Sequence, residues 1–297
     1  MHGFLNIDKP RGITSFGVIE ELRNKLGIKK MGHAGNLDPD ATGVLVVGVG
    51  KGTRFLEFIM DLEKEYMATI KLGVLTDTLD MTGEVIDEKP VPELSETRLR
   101  KVLKGFLGDI MQTPPAYSAI RVEGKRLYEL AREGVYVKPK PRRVRIHRIE
   151  LLGLAGDEFM IRVVCSKGTY IRSLARDIGE KLGTYGVVKE LRRTRVGHFR
   201  VENAVPLDAD VERLKSALLK IDEGLSHLKE VILKEKAARY FQNGTQVGIA
   251  GILRKSPDAR SFEHVRVYRP DGRFIGVGYL RWDSLSPVKV LPPDFIA

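Results

Sequence analysis

Apolar and polar positions fall into short blocks along this chain, each with the period of one kind of element. GFLNID (3–8) reads as a strand, and Lys9-Pro10-Arg11-Gly12 ends it in a turn. Thr14 or Ser15 then caps a helix whose Phe16, Ile19, Leu22 and Leu26 recur at helical spacing before Gly27 stops it. VLVVGVG (44–50) is a buried strand, TRFLEFIMDL a helix, and EYMATIKLG a strand with Tyr66, Ala68, Ile70 and Leu72 on one face. SETRLRKVLKGFLG (95–108) is a helix capped by Ser95. RVRIHRIELLGL and EFMIRVVCS form a hairpin around Gly156-Asp157. TYIRSLARDIGEKLG (169–183) puts Ile171, Leu174, Ile178 and Leu182 on one stripe and leaves Arg172, Arg176 and Lys181 largely on other faces.

Past residue 225 the texture shifts to short strands and turns, with Asp271-Gly272 marking a hairpin, which predicts a small β-barrel. The expected architecture is α+β: a mixed, mainly antiparallel sheet flanked by helices over 1–228, then a barrel over 229–297. Residues 121–148 hold ten Lys/Arg against three Glu, with Tyr128 and Tyr136 among them.

The net charge of +11 turns this picture toward a polyanionic partner, since basic side chains interleaved with aromatics suit phosphate pairing and base stacking. A solvated charged face fits the same stretch equally well. No apolar run is long enough for a membrane span, and the N-terminus lacks a secretory apolar core. The single cysteine, Cys165, excludes internal disulfides and a cysteine-based zinc site. A cytoplasmic location is expected.

The chemistry concentrates in GHAGNLDPDATGVL (32–45), where Pro39 stiffens the chain after Asp38 and glycines allow unusual backbone angles. Alone, the loop fits a turn cap as well as a catalytic carboxylate. Three further clusters accompany it: Lys64 and Tyr66 on one strand face with Asp77, Thr78, Asp80 and Gly83 in a turn; Lys167-Gly168-Thr169-Tyr170 opening the helix with Arg172; and KELRRTRVGHFR around Leu191. Taken singly, each also fits an ordinary core aromatic or surface cation. Dinucleotide and P-loop glycine signatures, metal-ligand histidine spacing and a GxSxG elbow are absent.

As an ordered set, GHAGNLDPDATGVL, KEYMATIKLG with TDTLDMTG, and SKGTYIRSLARDIG resemble the signature blocks of the TruB family of pseudouridine synthases. NIDKPRGITS and QTPPAYSAIRVEGKRLYELAREG match that family too, from about residue 3 to 200, and the barrel looks like a PUA-type RNA-binding module. Asn36 stands where the family usually has Thr.

The resemblance implies isomerisation of uridine 55 in the T-loop of tRNA, without cofactor or metal, by a monomer whose partner is the tRNA T-stem-loop. Asp38 would be the catalytic carboxylate, and Arg172 would pair with it and hold its pKa down. Tyr66 would stack on the target uracil, Tyr170 and Leu191 would complete its pocket, and His33 would pack where the base has left its stack. Asp80 and Lys64 would be supporting groups. Dyskerin-type relatives, which use guide RNA and accessory proteins, carry a longer N-terminal extension before the DKP turn, so a stand-alone enzyme is expected. A non-enzymatic RNA chaperone is the remaining rival.

Overall fold

The computed structural model describes residues 1–118, 120–122, 124–135, 137, 139–293 and 295. β1 (Gly3–Lys9) leads to α1 (Ser15–Leu26), where the Thr14 hydroxyl accepts the Gly17 amide and Gly27 closes the helix at φ 66°. β2 (Met31–His33) and β3 (Thr42–Val49) follow, then a 3-10 turn over Gly50–Phe55 and α2 (Leu56–Met60). The one helix expected over TRFLEFIMDL is therefore split, because its first residues close against β1 and Gly52 lies against the Gly3 backbone.

Next come β4 (Lys64–Leu72), the hairpin β5 (Val74–Thr76) and β6 (Val85–Glu88), α3 (Glu96–Lys104) and β7 (Gly108–Gln112). A ribbon of β8 (Arg121–Val122) and β9 (Lys125–Arg126) and α4 (Leu127–Arg132) precede the hairpin β10 (Arg142–Ala155) and β11 (Glu158–Cys165). α5 (Ile171–Leu182), β12 (Gly186–Val196), β13 (Phe199–Arg200), β14 (Val205–Pro206) and α6 (Val211–Ser216) complete this part.

The main sheet runs β14-β1-β3-β12-β4-β11-β10-β7, with β2 and β13 paired to β3 and β12. Only β1 with β14 and β3 with β12 are parallel, so the sheet is mixed and mainly antiparallel, as expected. Tyr66, Ala68, Ile70 and Leu72 face Ile171, Leu174, Ile178 and Leu182 of α5, while Leu99 and Leu103 of α3 share that core. Each such leucine or isoleucine contributes about 1.5–3 kcal/mol on burial.

Two placements differ from the sequence pattern. Phe16 is exposed; the buried stripe of α1 is Ser15, Val18, Ile19 and Leu22, and Phe16 lies on its flank beneath the Arg23 guanidinium. Arg172 lies off the apolar stripe as expected, yet it is buried, because neighbouring chain closes over that face of α5.

A second sheet comprises β15 (Lys229–Leu233), β16 (Val247–Gly248), β17 (Ile252–Lys255), β18 (Glu263–Tyr268), β19 (Phe274–Leu280) and β20 (Ser284–Val290), with α7 (Glu235–Gln242) against it. Its order is β16-β20-β19-β18-β15-β17, and the end strands β16 and β17 are joined by one 3-10 turn, so the sheet nearly closes into the small barrel expected. Phe274 packs on Phe55 and His264 on Phe58, joining the two sheets. Among the described residues no helix is long and apolar enough to cross a membrane.

Candidate active site

The segment 35–39 is tied down from three directions. Arg193, on β12 and almost fully buried, donates from Nη2 to the Gly35 carbonyl (3.2 Å), from Nη1 to Asn36 (3.0 Å) and from Nε to Val44 (2.7 Å). Ser15 Oγ donates to the Leu37 carbonyl (3.1 Å) and accepts the Leu37 amide (2.8 Å). Lys9 Nζ, wholly buried, donates to the carbonyls of Pro39 (2.8 Å), Ile13 (2.7 Å) and Pro10 (2.9 Å). Buried carbonyls left unpaired would each cost about 1–3 kcal/mol, so these donors favour one backbone path around Asp38. Gly43, at φ 102°, permits the parallel pairing of β3 with β12, since a Cβ there would lie 2.2 Å from the Arg193 carbonyl. At Asn36 the tie uses the backbone carbonyl and not the side chain.

Arg172, near the start of α5, comes up from below. Gln112 holds that helix entry, donating from Nε2 to the Tyr170 carbonyl (3.0 Å) and accepting the Tyr170 amide (2.8 Å). The Arg172 guanidinium donates to Asp38 from Nε to Oδ2 (2.8 Å) and from Nη2 to Oδ1 (3.0 Å). It also donates to the carbonyls of Thr78 from Nη1 (2.8 Å) and Tyr117 from Nη2 (3.0 Å), and Asp80 Oδ2 lies 3.7 Å from Nη1. Asp80 is fixed in turn, its Oδ1 accepting from the hydroxyls of Thr78 (2.8 Å) and Thr82 (2.6 Å). The turn docks on β12 through Met81 N to Val188 O (3.0 Å) and Val188 N to Leu79 O (3.1 Å).

The electrostatic balance at Asp38 reverses the expectation. Burial pushes its pKa above the ordinary carboxylate range; the Arg172 guanidinium opposes this, and the Asp80 carboxylate adds to it. A third of the side chain's surface remains open, but the carboxylate sits deep enough that desolvation outweighs the ion pair. Burial likewise lowers Lys9 to about 8, and it raises Tyr66 and Tyr170.

Asp38, Asp80, Arg172 and Leu191 converge on a narrow recess whose other walls include Ala41, Met81, Thr82 and Val188. Tyr66 lies within the apolar core with Leu37 and Ala41, in register with Arg193 on β12. Tyr170 is half-buried at the α5 entry. Contrary to the expected base pocket, neither Tyr66 nor Tyr170 lines this recess, Tyr66 because it is packed into the core beneath it, and Lys64 and His33 do not line it either. The Lys64 ammonium donates to the carbonyls of Met60 and Leu62 at the end of α2, and His33 closes β2 opposite Val47. Lys9, Ser15, Arg193 and Gln112 escaped the sequence reading.

In the basic stretch, Arg143 pairs with Asp109 (2.7 Å), Arg148 with Glu150 (2.6 Å) and Lys125 with Glu133 (2.9 Å). Tyr136 and Lys138, and the side chains of Arg121, Arg126, Tyr128 and Arg132, lie outside the described residues.

The fold has counterparts among solved structures. A chain of a Cbf5-Nop10-Gar1 complex superposes with TM-score 0.77 at 27% identity, covering 98% of this chain and 86% of that one. A chain of an H/ACA RNP bound to a substrate RNA containing 2'-deoxyuridine gives 0.76 at 26%, with coverage of 98% and 86%.

Residues 23–171 match the TruB family pseudouridylate synthase N-terminal domain, 172–234 the tRNA pseudouridylate synthase B C-terminal domain, and 230–291 the pseudouridine synthase II TruB C-terminal domain. The tRNA pseudouridine synthase B of Stutzerimonas stutzeri is 42% identical over 97% of this chain and 95% of its own length. That of Syntrophomonas wolfei is 44% identical over 98% of each. The chain belongs to the TruB family.

Proposed function

We propose that this protein converts uridine 55 in the T-loop of tRNA to pseudouridine, with Asp38 as the catalytic carboxylate. The observation that carries this reading is the side-on pairing of Asp38 with Arg172, on a loop tied at successive carbonyls, at the mouth of a recess walled by Leu191. Relatives named tRNA pseudouridine synthase B, above 40% identical over nearly the whole chain, support tRNA as substrate.

A base stacked in a folded loop hides its glycosidic bond, so the uridine is flipped out, at about a few kcal/mol, and takes up contacts with Leu191, Tyr66 and Tyr170. Asp38 acts on the ribose, either by bonding C1′ as N1 leaves, a bond that breaks when C5 attacks C1′, or by taking the C2′ proton as N1 leaves and returning it to C2′ when C5 bonds C1′. The C1′–N1 bond breaks, the uracil turns, C5 bonds to C1′, and the C5 proton is replaced at N1. Atoms and electrons balance without a co-reactant. Arg172 orients the carboxylate and opposes its protonation, and Asp80 holds Arg172. His33 and Lys64 act outside the recess, on the RNA and on the strand that carries Tyr66.

Residues 1–228 carry the chemistry, the basic segment at about 117–148 grips T-loop phosphates, and 229–297 contact the remaining RNA. One chain, in the cytoplasm, holds a whole site. The test is incubation with an unmodified tRNA transcript, followed by carbodiimide-stop mapping. Wild type modifies the T-loop uridine, whereas Asp38→Asn binds the RNA and leaves it unmodified. If wild type leaves that uridine unchanged, the reading fails; if Asp38→Asn modifies it normally, the role of Asp38 fails.

A further inference from the structure

Phe262 and Trp282 are 51% and 75% exposed on the barrel, and Trp282 is the most exposed of the large apolar side chains in the described residues. Their rings meet edge to face, 5.5 Å apart at 85°, an arrangement that leaves a broad face of the indole open. Both are mounted on short, hydrogen-bonded backbone. Trp282 sits in the turn between β19 and β20, closed by Arg281 N to Ser284 O (2.7 Å). Phe262 donates its amide to the Leu280 carbonyl (2.7 Å) and takes φ 71°, a left-handed conformation that a bulky residue adopts only at a cost. Ile249, also exposed, adjoins them through its amide to the Asp283 carbonyl (3.1 Å).

The charges around this patch are sorted. Its carboxylates are engaged within the protein: Asp258 pairs with Lys229, Glu263 accepts the Arg260 amide (3.3 Å), and Asp283 accepts the Ser284 hydroxyl (2.8 Å). Arg281, next to Trp282 in the chain, is exposed and forms no ion pair among the described residues, and its guanidinium lies 5.4 Å from the Tyr279 ring centre. Open aromatic faces beside an uncommitted guanidinium complement a nucleobase joined to a phosphate. A net charge of +11 disfavours a second copy of the chain as occupant.

We propose that Phe262 and Trp282 form a stacking platform for an unpaired nucleobase of the substrate RNA, outside the T-stem-loop. This rests on tRNA being the substrate. Trp282 is the chain's only tryptophan, so its fluorescence reports the platform directly. Titrating full-length tRNA transcript into Asp38→Asn protein quenches it saturably, and an isolated T-stem-loop hairpin does not. Trp282→Ala, or Arg281→Gln if a second surface variant is needed, weakens full-length tRNA binding about fivefold or more. Both leave hairpin affinity and kcat unchanged.

The proposal is overturned if bound tRNA leaves the fluorescence untouched, or if Trp282→Ala binds both RNAs as wild type does. Equal weakening on both RNAs also overturns it, as does concentration-dependent quenching without RNA, which would mark a contact between copies. Failure of wild type to modify the hairpin would sink the catalytic reading while leaving the fluorescence titration to stand or fall alone.

Discussion

Arg172 meets both oxygens of Asp38, Nε to Oδ2 at 2.8 Å and Nη2 to Oδ1 at 3.0 Å, while the same guanidinium also serves the carbonyls of Thr78 and Tyr117. Four acceptors are thus arranged around one planar fork. A lysine ammonium has three hydrogens and no plane, so it cannot reproduce this. Arg172→Lys should fold and bind tRNA yet lose about a hundredfold or more in kcat, as misplaced reacting groups do. Single-turnover pseudouridine formation checks this, and a loss under about threefold would contradict the assigned geometry.

In the proposed role Asp38 acts ionised, and burial raises its pKa. The acid limb of kcat/KM should therefore lie above the ordinary aspartate value of about 4, with activity falling as pH drops through it. Asp80 contributes to the upward shift and Arg172 opposes it. Asp80→Asn should move the limb to lower pH, and Arg172→Gln to higher pH, whatever happens to the maximum rate. A pH profile of the three proteins decides, and limbs moving in the opposite order would refute this account.

Lys9 is wholly buried, its ammonium committed to three carbonyls, and burial lowers its pKa to about 8 from an unfolded value of 10.5. A depressed lysine pKa means that the folded chain binds the proton less tightly than the unfolded one. Below pH 8 both states are protonated and the burial penalty is present in full; it is relieved as pH rises from about 8 to 10.5. Denaturant unfolding at about pH 7.5 and pH 10 should show this rise in wild type, on the order of 3 kcal/mol at most, and less of it in Lys9→Met. Lys64, also near 8, contributes the same sign in both proteins.

Ser15 binds Leu37 through both the amide and the carbonyl, one residue before Asp38. Ser15→Ala leaves these buried groups without that partner, so a loss of about 1–3 kcal/mol in stability is expected. Activity at a temperature where the variant remains folded should fall by about tenfold or more, because the carboxylate loses part of its mount. Wild-type kcat in a stable Ser15→Ala protein would show that the tie is dispensable.

Much of the scaffold was legible because strand and helix periods are local. The alternation of Tyr66, Ala68, Ile70 and Leu72, the Ser95 cap, the Gly156-Asp157 hairpin and the α5 stripe all depend on neighbours in sequence. Phe16 misled because helical spacing admits two adjacent stripes, and only the packed sheet selects between them. Asp38, Arg172, Asp80 and Leu191 were found through motif order, which says that residues belong together without saying how they meet.

Lys9, Ser15 and Arg193 were invisible for a different reason: their partners are backbone carbonyls and amides, which every residue carries and no pattern marks. Arg193 reaches acceptors 149 to 158 positions away. The sequence by itself determined most of the elements and the order of the candidate reactive groups, since side-chain chemistry and local periodicity are properties of the chain. Only the tertiary structure decided that Arg172 is buried, that the Asp38 loop is tied from three sides and that desolvation outweighs the ion pair at Asp38. Those outcomes depend on what surrounds a group in space.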